Sequence, residues 1–155
     1  MEMQKQLIMI GGIPSAGKTT TARMLKDLFE IEREFCTDFV YFEIGKELEI
    51  LDFANPRVWQ KENQELVRKL KDKYYRKMLP KDKKVLIEGY GLMFADDRNI
   101  IKNIYNDYKL TFFHKDISFE DWLRQKGVVD CEERKKEFSY LKAISTTEKS
   151  TITIK

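Results

Sequence analysis

The stretch Gly12-Ile13-Pro14-Ser15-Ala16-Gly17-Lys18-Thr19 decides the fold of this chain, because it matches the phosphate-binding pattern G-x-x-x-x-G-K-[ST] at every fixed position. The apolar run Leu7-Ile8-Met9-Ile10 precedes it and predicts a short buried parallel strand. After it, apolar residues recur at helical spacing from Thr19 to Phe29. The sequence thus predicts a strand, a glycine-rich turn and a helix in the order that this motif requires.

A loop of this composition binds phosphate through its backbone. Its N–H groups point inward and end at a helix N-terminus, so fixed dipoles face the negative charge. Gly12 and Gly17 suit the loop because they lack a Cβ and adopt positive φ readily. Lys18 is expected to reach the β- and γ-phosphates of ATP, and the Thr19 hydroxyl to coordinate Mg²⁺. The predicted nucleotide-binding residues are Gly12, Ile13, Pro14, Ser15, Ala16, Gly17, Lys18, Thr19 and Thr20.

Length and composition limit what surrounds this loop. The 155 residues predict a single domain, 1–155, which disfavours AAA+ machines and motor proteins. A charged fraction of 35% beside 42% hydrophobic residues favours a soluble protein, and no stretch approaches membrane-spanning length. The first residues contain no signal-peptide pattern, so a cytoplasmic location is expected.

The charged and chemically reactive residues exclude several functional classes. A net charge of +3 is too small to indicate nucleic-acid binding by itself. Basic residues are concentrated over 69–84, where a solvated helix face is the favoured interpretation and a polyanion-binding surface the alternative. Cys36 and Cys131 fit no metal-binding or redox spacing. His114 is the only histidine, which excludes a Ser-His-Asp triad and a histidine-cluster zinc site.

Strand-like runs alternate with helical patterns along the chain. This alternation predicts a three-layer α/β/α fold with a five-stranded, mostly parallel sheet and a short helical lid. Strands are predicted at 7–10, 85–88, 110–113 and 151–154, and the second strand covers either 31–36 or 39–44. Asn55-Pro56 predicts the start of a long helix that ends near Pro80. Its predicted inner face comprises Trp59, Leu66, Val67, Leu70, Tyr74 and Met78.

Two acidic residues are candidates for the chemistry beside the phosphate loop. Glu88 ends an apolar strand, where an acidic residue can hold Mg²⁺ or its water shell and contact substrate. Asp38 follows the candidate strand 31–36 and is the preferred general base, because it could orient an acceptor hydroxyl and take its proton. Glu43 and Asp52 are the alternatives, and Glu43 takes the role if the strand runs over 39–44.

Further positive charge is expected over the transferring phosphoryl group, from a helix–loop–helix lid at about 122–137. Arg124, Lys126 and Arg134 bracket the turn of this lid, and Arg124 is assigned a catalytic role. Arg57 and Arg98 are candidates for binding the acceptor. Both lie in first turns of predicted helices, where a cation slightly opposes the helix dipole and so does not serve helix stability.

Short segments outside the glycine-rich loop carry a family resemblance. They are Thr37-Asp38-Phe39, Val85-Leu86-Ile87-Glu88-Gly89-Tyr90, Asp97-Arg98 and Phe119-Glu120-Asp121-Trp122-Leu123-Arg124. With the loop, they make the chain similar to small P-loop kinases, the group that includes polynucleotide 5′-kinases, zeta-toxin-like kinases and uridine kinases. In this group an aspartate about twenty residues after the loop lysine acts as base, which the resemblance transfers to Asp38. The sequence departs from polynucleotide kinases in having Glu88 where aspartate is usual.

The residues and the resemblance predict an ATP- and Mg²⁺-dependent kinase. Its expected partner is a small nucleoside- or nucleotide-like acceptor, which receives the γ-phosphoryl group on a hydroxyl or a phosphate. A polynucleotide 5′-hydroxyl kinase is the first alternative, with nucleic acid as the less favoured partner. A hydrolytic ATPase or a nucleotide-binding switch without an acceptor is the second. No membrane partner is expected, and the chain is expected to be a monomer or a homodimer.

Overall fold

The computed structural model describes residues 4–13, 17–49, 63–144 and 152–154. Its strands are β1 (Gln6–Gly11), β2 (Arg33–Cys36), β3 (Lys84–Glu88), β4 (Lys109–Lys115) and β5 (Ile152–Ile154). They form one sheet in the order β2-β3-β1-β4-β5, and every neighbouring pair is parallel. The prediction of an α/β fold with a five-stranded parallel sheet is confirmed.

Helices cover both faces of the sheet. They are α1 (Lys18–Leu28), α2 (Asp38–Glu47), α3 (Gln64–Met78), α4 (Ala95–Ile104), α5 (Phe119–Lys126) and α6 (Glu132–Ile144), with a 3₁₀ turn at Tyr90–Met93. Within the described residues, no helix is both long and apolar enough to cross a membrane.

The central strand β1 is buried on both faces, as the apolar run 7–10 predicts. Leu7 and Met9 pack into a core shared with α2, α3 and α4, whereas Ile8 and Ile10 pack against α1 on the opposite face. This arrangement is the predicted three-layer sandwich. Because all strands are parallel, the carboxyl ends of β1, β2, β3 and β4 lie at one edge of the sheet, where open α/β sheets bind ligands.

The second strand ends at Cys36, and the alternative strand over 39–44 is wrong, because those residues belong to α2. Burial explains the outcome: Val40, Tyr41 and Ile44 are buried at helical spacing, while Phe39 and Phe42 are exposed. Glu43 therefore lies within a helix, not at a strand end, and its carboxylate pairs with Lys46.

The long helix α3 begins at Gln64, after Asn63 in a non-helical conformation. The predicted start at Asn55-Pro56, together with Trp59, Asp52 and Arg57, falls outside the described residues. On the inner face, Val67 and Leu70 are buried as predicted. The assignment of Leu66 was wrong, since 48% of it is exposed and the fully buried Tyr75 faces inward instead.

A buried polar cluster joins α2, α3 and α4. The Asp97 carboxylate, fully buried, accepts hydrogen bonds from Lys71 at 2.7 Å, Tyr41 at 2.7 Å and Tyr75 at 2.6 Å. Lys71 is also buried, and its ammonium group lies 5.3 Å from the centre of the Tyr41 ring. Because buried charges are tolerated only when paired and hydrogen-bonded, this cluster fixes how the three helices pack.

The predicted lid region is a helical hairpin with its own small core. Trp122 of α5 and Leu141 of α6 are buried together with Ile13 and Met93. The Ser118 hydroxyl caps α5 by accepting a hydrogen bond from the Asp121 N–H at 3.2 Å, and Gly127 ends the helix at φ +73°. The hairpin is thus anchored at Ile13, inside the phosphate loop itself.

Candidate phosphate-transfer site

The loop after β1 has the backbone geometry that its glycines allow. Gly12 and Gly17 both have positive φ, at +144° and +88°. A Cβ on Gly12 would lie 2.7 Å from the Lys115 carbonyl oxygen, so no larger residue fits there. Pro14, Ser15 and Ala16 fall outside the described residues. The described ends of the loop therefore have the conformation that a phosphate cradle needs.

Lys18 is the first residue of α1 and lies partly buried behind the loop. Its ammonium group donates a hydrogen bond to the Gly12 carbonyl oxygen at 2.9 Å. Burial lowers the pKa of Lys18, and the negative charges of Glu88 and Asp38 partly offset that effect. Lys18 thus shares one electrostatic environment with both candidate carboxylates, although Glu88 ends β3 and Asp38 begins α2.

Glu88 and Cys36 end the neighbouring strands β3 and β2 and lie side by side. Burial raises the pKa of Glu88, while the neighbouring Cys36 side chain and the charge of Lys18 lower it in part. Burial is also the main reason that the pKa of Cys36 rises to about 12. Sequence analysis missed Cys36 at this site, although its place at the end of a predicted strand next to Asp38 was a usable signal.

Asp38 begins α2, and its contacts fix it to the segment after β3. Its Oδ1 accepts a hydrogen bond from the Tyr90 N–H at 3.1 Å, and Oδ2 makes no hydrogen bond with the described residues. The preceding Thr37, fully buried, accepts one from the Gly91 N–H at 2.9 Å. Gly89, which precedes Tyr90, has φ +128°, and a Cβ on it would lie only 2.3 Å from the Thr37 hydroxyl. The segment Glu88–Gly91 and the start of α2 therefore form one rigid corner.

The oxygen ligands near the loop suit Mg²⁺ held jointly with a nucleotide. Thr19 is exposed in the first turn of α1, and Glu88 supplies a carboxylate at the same sheet edge. Across the described part of the chain, no group of three or more His, Cys, Asp or Glu residues could enclose a metal ion. Mg²⁺ commonly takes only one or two protein ligands and completes its shell with phosphate and water, so this donor set fits it.

Of the two predicted acceptor arginines, the structure describes only Arg98. Arg98 is buried and donates a hydrogen bond to the Leu92 carbonyl oxygen at 2.8 Å, just behind the 3₁₀ turn. It therefore supports the segment after β3 from within the core. Arg57 belongs to the residues that the structure does not describe.

The three predicted lid cations are paired with carboxylates of the hairpin itself. Arg124 is exposed and pairs with Asp121 one turn before it. Lys126 and Arg134 both contact Glu137, at 2.6 and 2.8 Å. These pairs hold the lid cations on the hairpin, so an incoming phosphoryl group would have to compete with Asp121 or Glu137 for them.

An open cleft of about 1000 Å³ lies between α1 and α5, beside the phosphate loop. Its lining includes Gly17 and Thr20 of the loop and first turn, the exposed Met24, and Arg124. Lys115, the last residue of β4, also lines it. Sequence analysis missed Lys115, since no local pattern distinguishes it from other lysines at strand ends. The cleft offers a nucleoside a place next to its phosphates.

The strand order β2-β3-β1-β4-β5, parallel throughout and covered by helices on both faces, is a three-layer α/β/α fold. Three solved structures share this fold: shikimate kinase from Aquifex aeolicus (22% identity, TM-score 0.56), shikimate kinase from Acinetobacter baumannii in complex with shikimate (18%, 0.52) and a gluconokinase from Sinorhizobium meliloti (10%, 0.56). The similarity covers 97–99% of this chain and 83–85% of those chains. No family model and no curated protein sequence matches the chain.

Proposed function

We propose that this protein is an ATP-dependent kinase that transfers the γ-phosphoryl group to a hydroxyl of a small acceptor. The observation that carries the proposal is the convergence of Lys18, Glu88 and Asp38, from three separate elements, on one end of the sheet beside a glycine-rich loop.

Each residue has a distinct role in the proposed reaction. Lys18 exchanges the Gly12 carbonyl oxygen for phosphate oxygens and stabilises the negative charge that develops there. Thr19 and Glu88 would hold Mg²⁺, which would supply positive charge to offset the negative charge of the phosphates. Asp38 orients the acceptor hydroxyl through Oδ2 and takes its proton, while Tyr90 holds Oδ1 in place. Arg124 lines the cleft beside the loop and is the lid cation that we propose contacts the nucleotide.

Small acceptors are favoured over a nucleic-acid 5′-end. The structural neighbours with assigned substrates are small-molecule kinases, and their names indicate hydroxylated acids. The basic stretch 69–84, which could have bound a polyanion, is partly occupied by internal contacts. Lys71 is buried against Asp97, Lys73 and Arg76 pair with Glu47 and Asp72, and Lys84 donates to the Phe29 carbonyl oxygen. We therefore extend the expected acceptor from nucleosides to small polyhydroxylated acids.

An acceptor panel tests the proposal. ADP release is measured with ATP and Mg²⁺ for nucleosides, nucleoside monophosphates, shikimate, gluconate and a 5′-hydroxyl oligonucleotide, each against a reaction without acceptor. Release stimulated by one acceptor class supports a kinase and identifies its substrate. Equal release in every reaction indicates an ATPase, and absence of both release and nucleotide binding refutes the proposal.

Three variants test the assigned roles. Lys18→Ala is expected to abolish ADP release in all reactions, because it removes the charge that faces the γ-phosphate. Asp38→Asn is expected to abolish transfer and to leave nucleotide binding unchanged. Glu43→Gln is the matched control on the same helix, because the Glu43 carboxylate pairs with Lys46 and so should not affect transfer. Full transfer by Asp38→Asn would remove Asp38 from the role of base.

A further inference from the structure

Lys115 lies against the phosphate loop although it belongs to no motif. The pairing of β4 with β1 places His114 beside Gly11, so Lys115 follows alongside Gly12. Its carbonyl oxygen lies 2.7 Å, and its Cε atom 3.7 Å, from the positions that a Cβ would take on Gly12 and Gly17 respectively. Lys115 therefore lies close to both glycines of the loop.

The charge of Lys115 has no counter-charge in the described part of the chain. The two acids that share its cleft are engaged elsewhere, Asp116 with Lys142 and Asp121 with Arg124. Lys18 brings a second cation to the same helix N-terminus. Both lysines therefore lie at the positive end of the α1 dipole, where an anion is bound favourably.

Lys18 and Lys115 lie on different sides of the loop, so they would contact different phosphates of the nucleotide. Lys18 shares its environment with Glu88 and Asp38, on the side where the acceptor would lie. Lys115 instead lines the cleft with Thr20 and Met24, on the side where the nucleoside would lie. Building on the proposed function, we propose that Lys115 is a second phosphate-binding lysine, which contacts the α-phosphate of the nucleotide.

Calorimetric titration of the whole protein with adenosine, AMP, ADP and ATP tests this assignment. For Lys115→Gln, which keeps most of the side-chain length, Kd is expected to rise about 10- to 100-fold for AMP, ADP and ATP, as for a lost charged hydrogen bond. The Kd of adenosine is expected to stay unchanged, and Lys115→Arg to retain most of the affinity. Lys109→Gln is the matched control, because Lys109 is exposed at the opposite end of β4.

The outcomes distinguish this inference from the proposed function. If the wild-type protein binds none of the nucleotides, both fail. If it binds them and Lys115→Gln binds them equally well, only the role of Lys115 fails. A loss confined to ATP would move Lys115 to the γ-phosphate, and an equal loss for adenosine would mean that it shapes the cleft, so either result overturns the assignment. Urea unfolding of each variant checks the fold. If Lys115→Gln is destabilised, Lys115→Arg is compared with the wild-type protein instead. Loss of nucleotide affinity in Lys115→Arg would then refute the proposed role of the charge.

Discussion

Replacing Lys71 with methionine should destabilise the protein far more than any surface lysine substitution. The change removes the ammonium group that lies 2.7 Å from the fully buried Asp97 carboxylate, whose remaining hydrogen-bond donors among the described residues are two tyrosine hydroxyls. Removing one partner of a buried ion pair costs about 3–5 kcal/mol, because the other charge stays buried and uncompensated. With a urea dependence of about 2 kcal/mol per molar, the unfolding midpoint should fall by about 1.5–2.5 M.

The controls for this prediction come from the same helix and the same pair. Lys73→Met removes an exposed ammonium group that pairs with Glu47, and should cost less than about 1 kcal/mol. The double variant Lys71→Met/Asp97→Asn removes both charges and keeps an oxygen acceptor, so it should be more stable than Lys71→Met alone. A Lys71→Met variant within 1 kcal/mol of wild type, or a double variant less stable than the single one, would refute the reasoning.

Three further predictions concern the corner where the candidate site is built. Gly89→Ala should lower the melting temperature and abolish transfer, because the new Cβ would lie 2.3 Å from the buried Thr37 hydroxyl. Gly127→Ala is the control: Gly127 also has positive φ, but no atom lies within 4 Å of its Cβ position, so only a small loss of stability is expected. Glu88→Gln should make the metal-free protein more stable at neutral pH. Because its pKa is raised in the folded chain, the ionised Glu88 carboxylate costs stability above that pKa, so the gain should disappear well below the ordinary glutamate pKa in urea titrations. Iodoacetamide at pH 8 should alkylate exposed Cys131 much faster than Cys36, whose pKa is about 12; comparable rates by mass spectrometry would contradict the burial of that thiol.

Sequence alone predicted the parts of this protein that local patterns specify. The glycine-rich loop, the buried strand before it and the helix after it are consecutive, so one window contains the whole signal. The end of β2 was ambiguous because the aromatic residues 39–42 are typical of strands, and only packing of Val40 and Tyr41 against the core selects a helix.

The residues that sequence analysis missed depend on contacts between distant segments. Lys115 reaches the loop only because β4 lies next to β1, and no spacing in the sequence encodes that neighbour. Lys71 and Asp97 are separated by 26 positions and look like ordinary surface charges until α3 and α4 pack together. The sequence places Arg98 in the first turn of a predicted helix, but its contact with the Leu92 carbonyl oxygen, inside the core, could not be foreseen.

The burial of Ile13 with Trp122 and Leu141 has a consequence for protein engineering. A hairpin transplanted from another enzyme of this fold would meet a side chain that belongs to the nucleotide loop, so the two segments would have to be exchanged as a unit. The same contact places an indole ring next to that loop, which offers an intrinsic fluorescent reporter of loop occupancy that needs no added label.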